Sequence, residues 1–99
     1  MDRQEQIHVV KETVKDYFNE NEQFTGLHEL SPSEKTHIIS IGTSILCTKW
    51  RVGYEGGGFV QSVVNNDLSG AISRADETNI KALKFYCQLM YNVGKPILD

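Results

Sequence analysis

The sequence lacks several features that would have named its class at once. No apolar run approaches the roughly 20 residues that a membrane helix needs, and the opening MDRQEQIHVVKE has neither the basic flank nor the apolar core of a secretory signal. The expectation is therefore a cytoplasmic protein. Cysteine is scarce: Cys47 and Cys87 both fall at apolar positions of helix-like segments, where a reduced thiol behaves as a small hydrophobe. There is no excess of basic residues, because 10 Lys and Arg face 13 Asp and Glu for a net charge of −3. Without a clustered basic footprint, binding to duplex DNA is not expected.

Signatures of chemistry are also missing. His8, His28 and His37 are isolated, and no His, Cys or carboxylate pair has zinc-site spacing, so neither a metal nor a cofactor is expected. A cysteine nucleophile needs a nearby histidine. His37 and Cys47 share one expected helix but stand about 15 Å apart along it. No catalytic residues are assigned, and a binding protein rather than an enzyme is expected. Internal repeats, heptads and low-complexity tracts are absent too.

What remains is a chain of 99 residues, 39% hydrophobic and 23% charged, which fits one globular domain over residues 1–99. Its apolar spacing is helical throughout, and the expected fold is all-α, a small bundle of four or five helices. Ile7, Val10, Val14, Tyr17 and Phe18 mark an amphipathic helix over residues 3–20. A loop with Gly26 follows, in which Phe24, Leu27 and Leu30 are candidates to pin the chain to the core. Ser31-Pro32-Ser33-Glu34 opens a long helix as a capping box. Gly42 in its middle predicts close approach by another helix, and Gly53 is its expected terminator. Two short helices then meet at Asn66 and Asp67. A last helix, capped by Asp76, runs to about residue 92, with apolar residues on two stripes: Ile80, Leu83, Cys87, Met90 and Tyr91 on one, Ala82, Tyr86 and Leu89 on the other. A helix apolar over so much of its circumference is central or meets a second subunit, and a homo-oligomer is expected.

The most informative stretch is Lys49 to Gly58, with a glycine-rich loop at 53–58. It gathers the only tryptophan, a tyrosine, two cations and four of the eight glycines. Glycines let backbone amides approach a ligand, the start of a helix attracts anions, and aromatic faces stack on bases. The loop has neither the GK[ST] ending of a phosphate loop nor the setting of a dinucleotide fingerprint. A plain hinge between antiparallel helices explains the glycines equally well. As a site it offers Trp50 and Tyr54 for stacking, Arg51 for phosphate, and the Gly56, Gly57 and Gly58 amides with Phe59 as a wall. Asn65, Asn66, Asp67, Arg74, Asp76 and Asn79 form a polar set, of which Asp67 and Asp76 are explained by helix capping and Arg74 is suited to a phosphate; Asn66, Asp67 and Arg74 join the candidate site.

The string Gly57-x-Phe59-Val60-x-x-Val63-x-x-Asn66-Asp67-Leu68-x-x-Ala71-x-x-Arg74-Ala75-Asp76-x-x-Asn79 resembles a pattern in small uncharacterised proteins of tailed phages and prophages. The resemblance is confined to the second half of the chain. It implies a phage protein acting in the host cytoplasm, where small non-enzymatic phage proteins often counter immunity. Two functions follow from it. One is sequestration of a nucleotide-derived immune signal, a cyclic oligonucleotide or an ADP-ribose derivative. The alternative is a protein-binding inhibitor of a host complex, such as an anti-CRISPR or a polymerase modulator.

Overall fold

The computed structural model describes residues 1–98, and every regular element among them is helical. Asp2 starts α1 (Arg3–Thr25) by accepting the Glu5 amide at 2.8 Å. Val10, Val14 and Phe18, one turn apart, carry its buried face. The helix outruns its expected end at residue 20. Asn21 donates to the Tyr17 carbonyl at 2.8 Å, Glu22 pairs with Lys35 at 3.2 Å, and Gly26 closes the helix at φ +76°. The apolar period fades there because the half-buried positions of the last turns, Asn21, Glu22 and Thr25, are polar: Phe24 is 86% exposed, while Leu27 is buried in the short turn that follows and Leu30 is half-buried. Phe24 therefore does not pin the loop.

The second helix, α2 (Pro32–Trp50), begins with the full capping box, Ser31 and Glu34 bonding reciprocally to each other's amides. Hydrogen bonds from the Ser31 amide and hydroxyl hold the Glu34 carboxyl below its ordinary range. A Cβ on Gly42 would stand 2.9 Å from Val14 of α1 and 3.1 Å from Leu89, so the expected close approach is present and involves two helices. Then come α3 (Gly58–Val64), α4 (Leu68–Arg74), α5 (Glu77–Lys81) and α6 (Leu83–Asn92). Asp67 and Asp76 cap α4 and α5 through the Gly70 and Asn79 amides. The single last helix expected from sequence is two, divided at Ala82 (φ −95°, ψ 2°). Counted this way the described residues form six helices. No helix among them is long and apolar enough to cross a membrane.

Phe85 sits at the centre of the core. Its ring meets Phe18 edge-on at 5.4 Å and lies within 6 Å of the rings of Tyr17 and Tyr86, and Phe59 packs edge-on against Tyr86 at 5.8 Å. Such pairs add to simple area burial. Tyr86 is fully buried and donates to Asn79 Oδ1 at 2.6 Å. Burial, helped by the Asp76 carboxylate, pushes its phenol far above the ordinary value, so it remains a donor across the working pH range. Tyr86→Phe leaves a buried amide oxygen without that donor. The expected loss is about 1–3 kcal/mol in urea unfolding, with the slope of the transition unchanged. An unaltered midpoint would show the bond to be energetically neutral.

Of the two stripes on the last segment, Ala82, Tyr86 and Leu89, joined by Phe85, face the core. Ile80, Cys87 and Tyr91 face outward, so Cys87 is an exposed thiol rather than a core residue. With Leu68, Ala71, Leu83 and Val63, Cys87 and Tyr91 line an open groove of about 280 Å³.

Candidate functional site

The chain leaves α2 through a Schellman turn. Val52 N–H bonds the Cys47 carbonyl at 2.8 Å and Arg51 N–H the Thr48 carbonyl at 3.4 Å. The left-handed residue in this turn is Arg51, at φ 57°, and not the expected Gly53. An arginine is strained where glycine is the usual choice. The reason for the placement lies after it. Val52 is buried immediately before Gly53, which itself adopts φ +70° with only 2.8 Å between a notional Cβ and the Ile7 side chain.

The glycine-rich loop is clamped rather than slack. Gly56 donates its amide to Thr48 Oγ1 at 2.9 Å, and its carbonyl accepts from Gln61 Nε2 at 2.8 Å. A Cβ there would be 2.5 Å from Val60 and 2.6 Å from Ser44 Oγ, so only glycine fits the clamp. Its amide is thus engaged within the protein. Gly57 caps α3 and faces open space, while Gly58 lies against the Arg74 side chain, where a Cβ would stand 3.0 Å from Arg74 Cδ.

The three candidate aromatics separate. Trp50 is half-buried against the core and Phe59 turns inward onto Tyr86, so packing accounts for both. Tyr54 alone presents its ring. It is 66% exposed, with the Arg3 guanidinium 4.6 Å from its centroid.

Two adjoining recesses contain most of the remaining candidates. The first, of about 430 Å³, takes Arg51, Gly53, Tyr54 and Glu55 from the junction, Gln61 from α3 and Asn65 from its C-terminal cap. The second, of about 210 Å³, is formed by Gly58, Ser62, Asp67 and Arg74 together with the same Gln61 and Asn65. The exposed face of α3 is thus a shared polar floor, with Arg51 on one side and Arg74 on the other. Arg74 donates to Ser62 Oγ at 3.3 Å, and neither arginine has a carboxylate partner among the described residues. The Lys49 ammonium at the edge of the first recess is engaged by the Met90 carbonyl. Asn66, exposed at φ 59°, lines the neighbouring apolar groove instead. Asn65 belongs to the polar set singled out from the sequence, whereas Gln61 was missed, although two amides one turn apart, in and just after a short and mainly apolar helix, are a signal of a kept polar face.

Chemically the floor offers amide donors and acceptors between two guanidinium groups, with the Glu55 and Asp67 carboxylates at the margins. Cys47 lies beneath the first recess, and burial raises its thiol pKa, which weakens it as a nucleophile. Among the described residues no three His, Cys, Asp or Glu side chains cluster as a metal site. Comparison with protein-family models, with curated proteins and with solved structures finds no match to this chain.

Proposed function

We propose that this chain binds a small nucleotide carrying more than one phosphate, of the cyclic-oligonucleotide or ADP-ribose class, and holds it without converting it. In a phage protein, as the second half of the sequence suggests, the effect is to withhold an immune signal from its host effector. The observation that carries this reading is the shared Gln61–Asn65 floor between two arginines that lack carboxylate partners. Guanidinium groups pair with phosphates bidentately, and two of them across a polar floor suit a ligand with two anionic groups. Tyr54 provides a stacking face, and Glu55 or Asp67 is suited to ribose hydroxyls as carboxylates are in dinucleotide sites.

The site is shallow for such a ligand, and a second copy of the chain completes it. The apolar groove under Tyr91 shares Ser62 and Asp67 with the Arg74 recess, so a subunit seated there would add a wall to that recess. The same groove supports the second reading, an inhibitor that docks on a host protein, since exposed apolar patches mark contact surfaces.

A thermal-shift panel of cyclic di- and trinucleotides and cyclic ADP-ribose isomers, with solution mass measured on the same samples, tests the proposal. At a hundredfold excess over Kd the cognate ligand stabilises by about 2.7 kcal/mol, a rise of about 10 °C or more for a domain of this size. The expected mass is that of a dimer or higher assembly. A panel without any shift removes the sequestration reading, and a monomer in the liganded state removes the shared-site arrangement.

A further inference from the structure

Between α1 and α2 lies a recess of about 560 Å³, larger than either recess beside the two arginines. Its deeper lining is Ile7, Ile39 and Cys47. Lys11 and Lys15 stand one turn apart on α1, and Ser40 and Ser44 one turn apart on α2. Tyr54 completes the lining and also lines the Arg51 recess, so its ring stands between the two spaces.

The charge here runs against the rest of the molecule. The chain has more carboxylates than cations, yet no carboxylate lines this groove, and neither lysine is ion-paired among the described residues. Glu12 and Asp16, the sequence neighbours of the lysines, are turned about 100° away on the helix by its 3.6-residue period. Thr43 and Thr36 donate their hydroxyls to the Ile39 and Pro32 carbonyls, at 2.7 and 3.0 Å. The Ser40 and Ser44 hydroxyls make no such bond among the described residues and remain available as donors. Arg3, stacked on Tyr54, places a third cation beside the aromatic end.

We infer that this groove is a second ligand site, taking a phosphomonoester of mononucleotide size. The phosphate dianion lies between the Lys11 and Lys15 ammonium groups and accepts from Ser40 and Ser44, and the base rests on the apolar lining against Tyr54. Two cations with two hydroxyl donors match a dianion, since charge-assisted hydrogen bonds to phosphate are the strong ones. The volume falls within the usual range of small-molecule sites, about 300–1,000 Å³. The inference uses neither arginine of the first site and stands without it.

The test is titration of the ¹⁵N-labelled full chain with AMP, with adenosine and with inorganic phosphate, followed by amide NMR. AMP is expected to shift amides around Ile7–Lys15 and Thr36–Cys47 saturably. The Lys11→Ala/Lys15→Ala variant, altered only at exposed positions, should weaken AMP at least tenfold while keeping the dispersed spectrum of the folded chain. Tyr54→Leu should weaken AMP and leave inorganic phosphate unchanged. Because the contact is ionic and open to solvent, AMP affinity should also fall as salt rises from low to physiological strength. AMP binding unaffected by the double lysine change overturns the inference, as does inorganic phosphate binding as tightly as AMP. Shifts confined to Arg51, Gln61, Asn65 and Arg74 overturn it while favouring the first site. No saturable AMP shift also overturns it, and the polyphosphate panel then still decides the first site separately.

Discussion

Phe85→Ala should remove about 3–5 kcal/mol from the unfolding free energy, the largest loss expected from any single truncation in the core. The ring is 1% exposed and touches Tyr17, Phe18 and Tyr86 at once, so its removal opens a cavity that α1 and α6 cannot both collapse into. Gly42 makes the site less forgiving. It already brings α2 against Val14 and Leu89 at the limit of contact, and a bundle packed that closely has little room to slide. A domain of this length has about 5–15 kcal/mol in total, so the variant should melt well over 10 °C below the parent or fail to fold at ordinary temperature. Phe24→Ala is the matched control. That ring is almost fully exposed, and its loss should stay within about 0.5 kcal/mol. Equal losses from the two changes in chemical denaturation would contradict the position given to Phe85.

What could be read from the sequence follows a physical division. Local chemistry was legible: the Ser31 capping box, the Asp67 and Asp76 caps, and the close approach at Gly42 each depend on neighbours in sequence or on one absent side chain. Ends set by tertiary coverage were not. The last turns of α1 have no apolar face to detect because polar Asn21, Glu22 and Thr25 fill their half-buried positions, and the division at Ala82 has no glycine or proline to announce it. The glycine-rich junction was legible as a location but not as a geometry. Which aromatic faces solvent depends on how the loop is clamped through Thr48 and Gln61, and this clamp holds Tyr54 outside while Phe59 enters the core. The α1–α2 groove was invisible, because Lys11 and Lys15 read as an ordinary solvated helix face until Ser40 and Ser44 are placed opposite them.

Arg51 and Arg74 provide the sharpest test of the proposed site, because one of them should change stability and affinity in opposite directions. Arg51 holds the left-handed position of a Schellman turn, which costs a residue with a side chain about 1–2 kcal/mol more than glycine. Its side chain is exposed and has no ion-pair partner among the described residues, so nothing inside the protein offsets that cost. Arg51→Gly should therefore leave the fold intact and raise its stability by up to about 1 kcal/mol, less the extra entropy of glycine in the unfolded chain. In the nucleotide complex the same change removes a charged hydrogen-bonding group worth about 1.5–3 kcal/mol, roughly a 10- to 150-fold loss of affinity. Arg74→Ala removes a second such group and its single bond to Ser62, with a similar loss of binding and a small loss of stability. The two arginines sit in separate recesses joined only by Gln61 and Asn65, so their effects on binding should be close to additive, giving about 10²- to 10⁴-fold in the double variant. Calorimetry with the strongest ligand of the panel, beside urea unfolding of the free variants, measures both quantities. A strained arginine retained for a ligand should show higher stability together with weaker binding, whereas Arg51→Gly binding the nucleotide as tightly as the parent would take Arg51 out of the site.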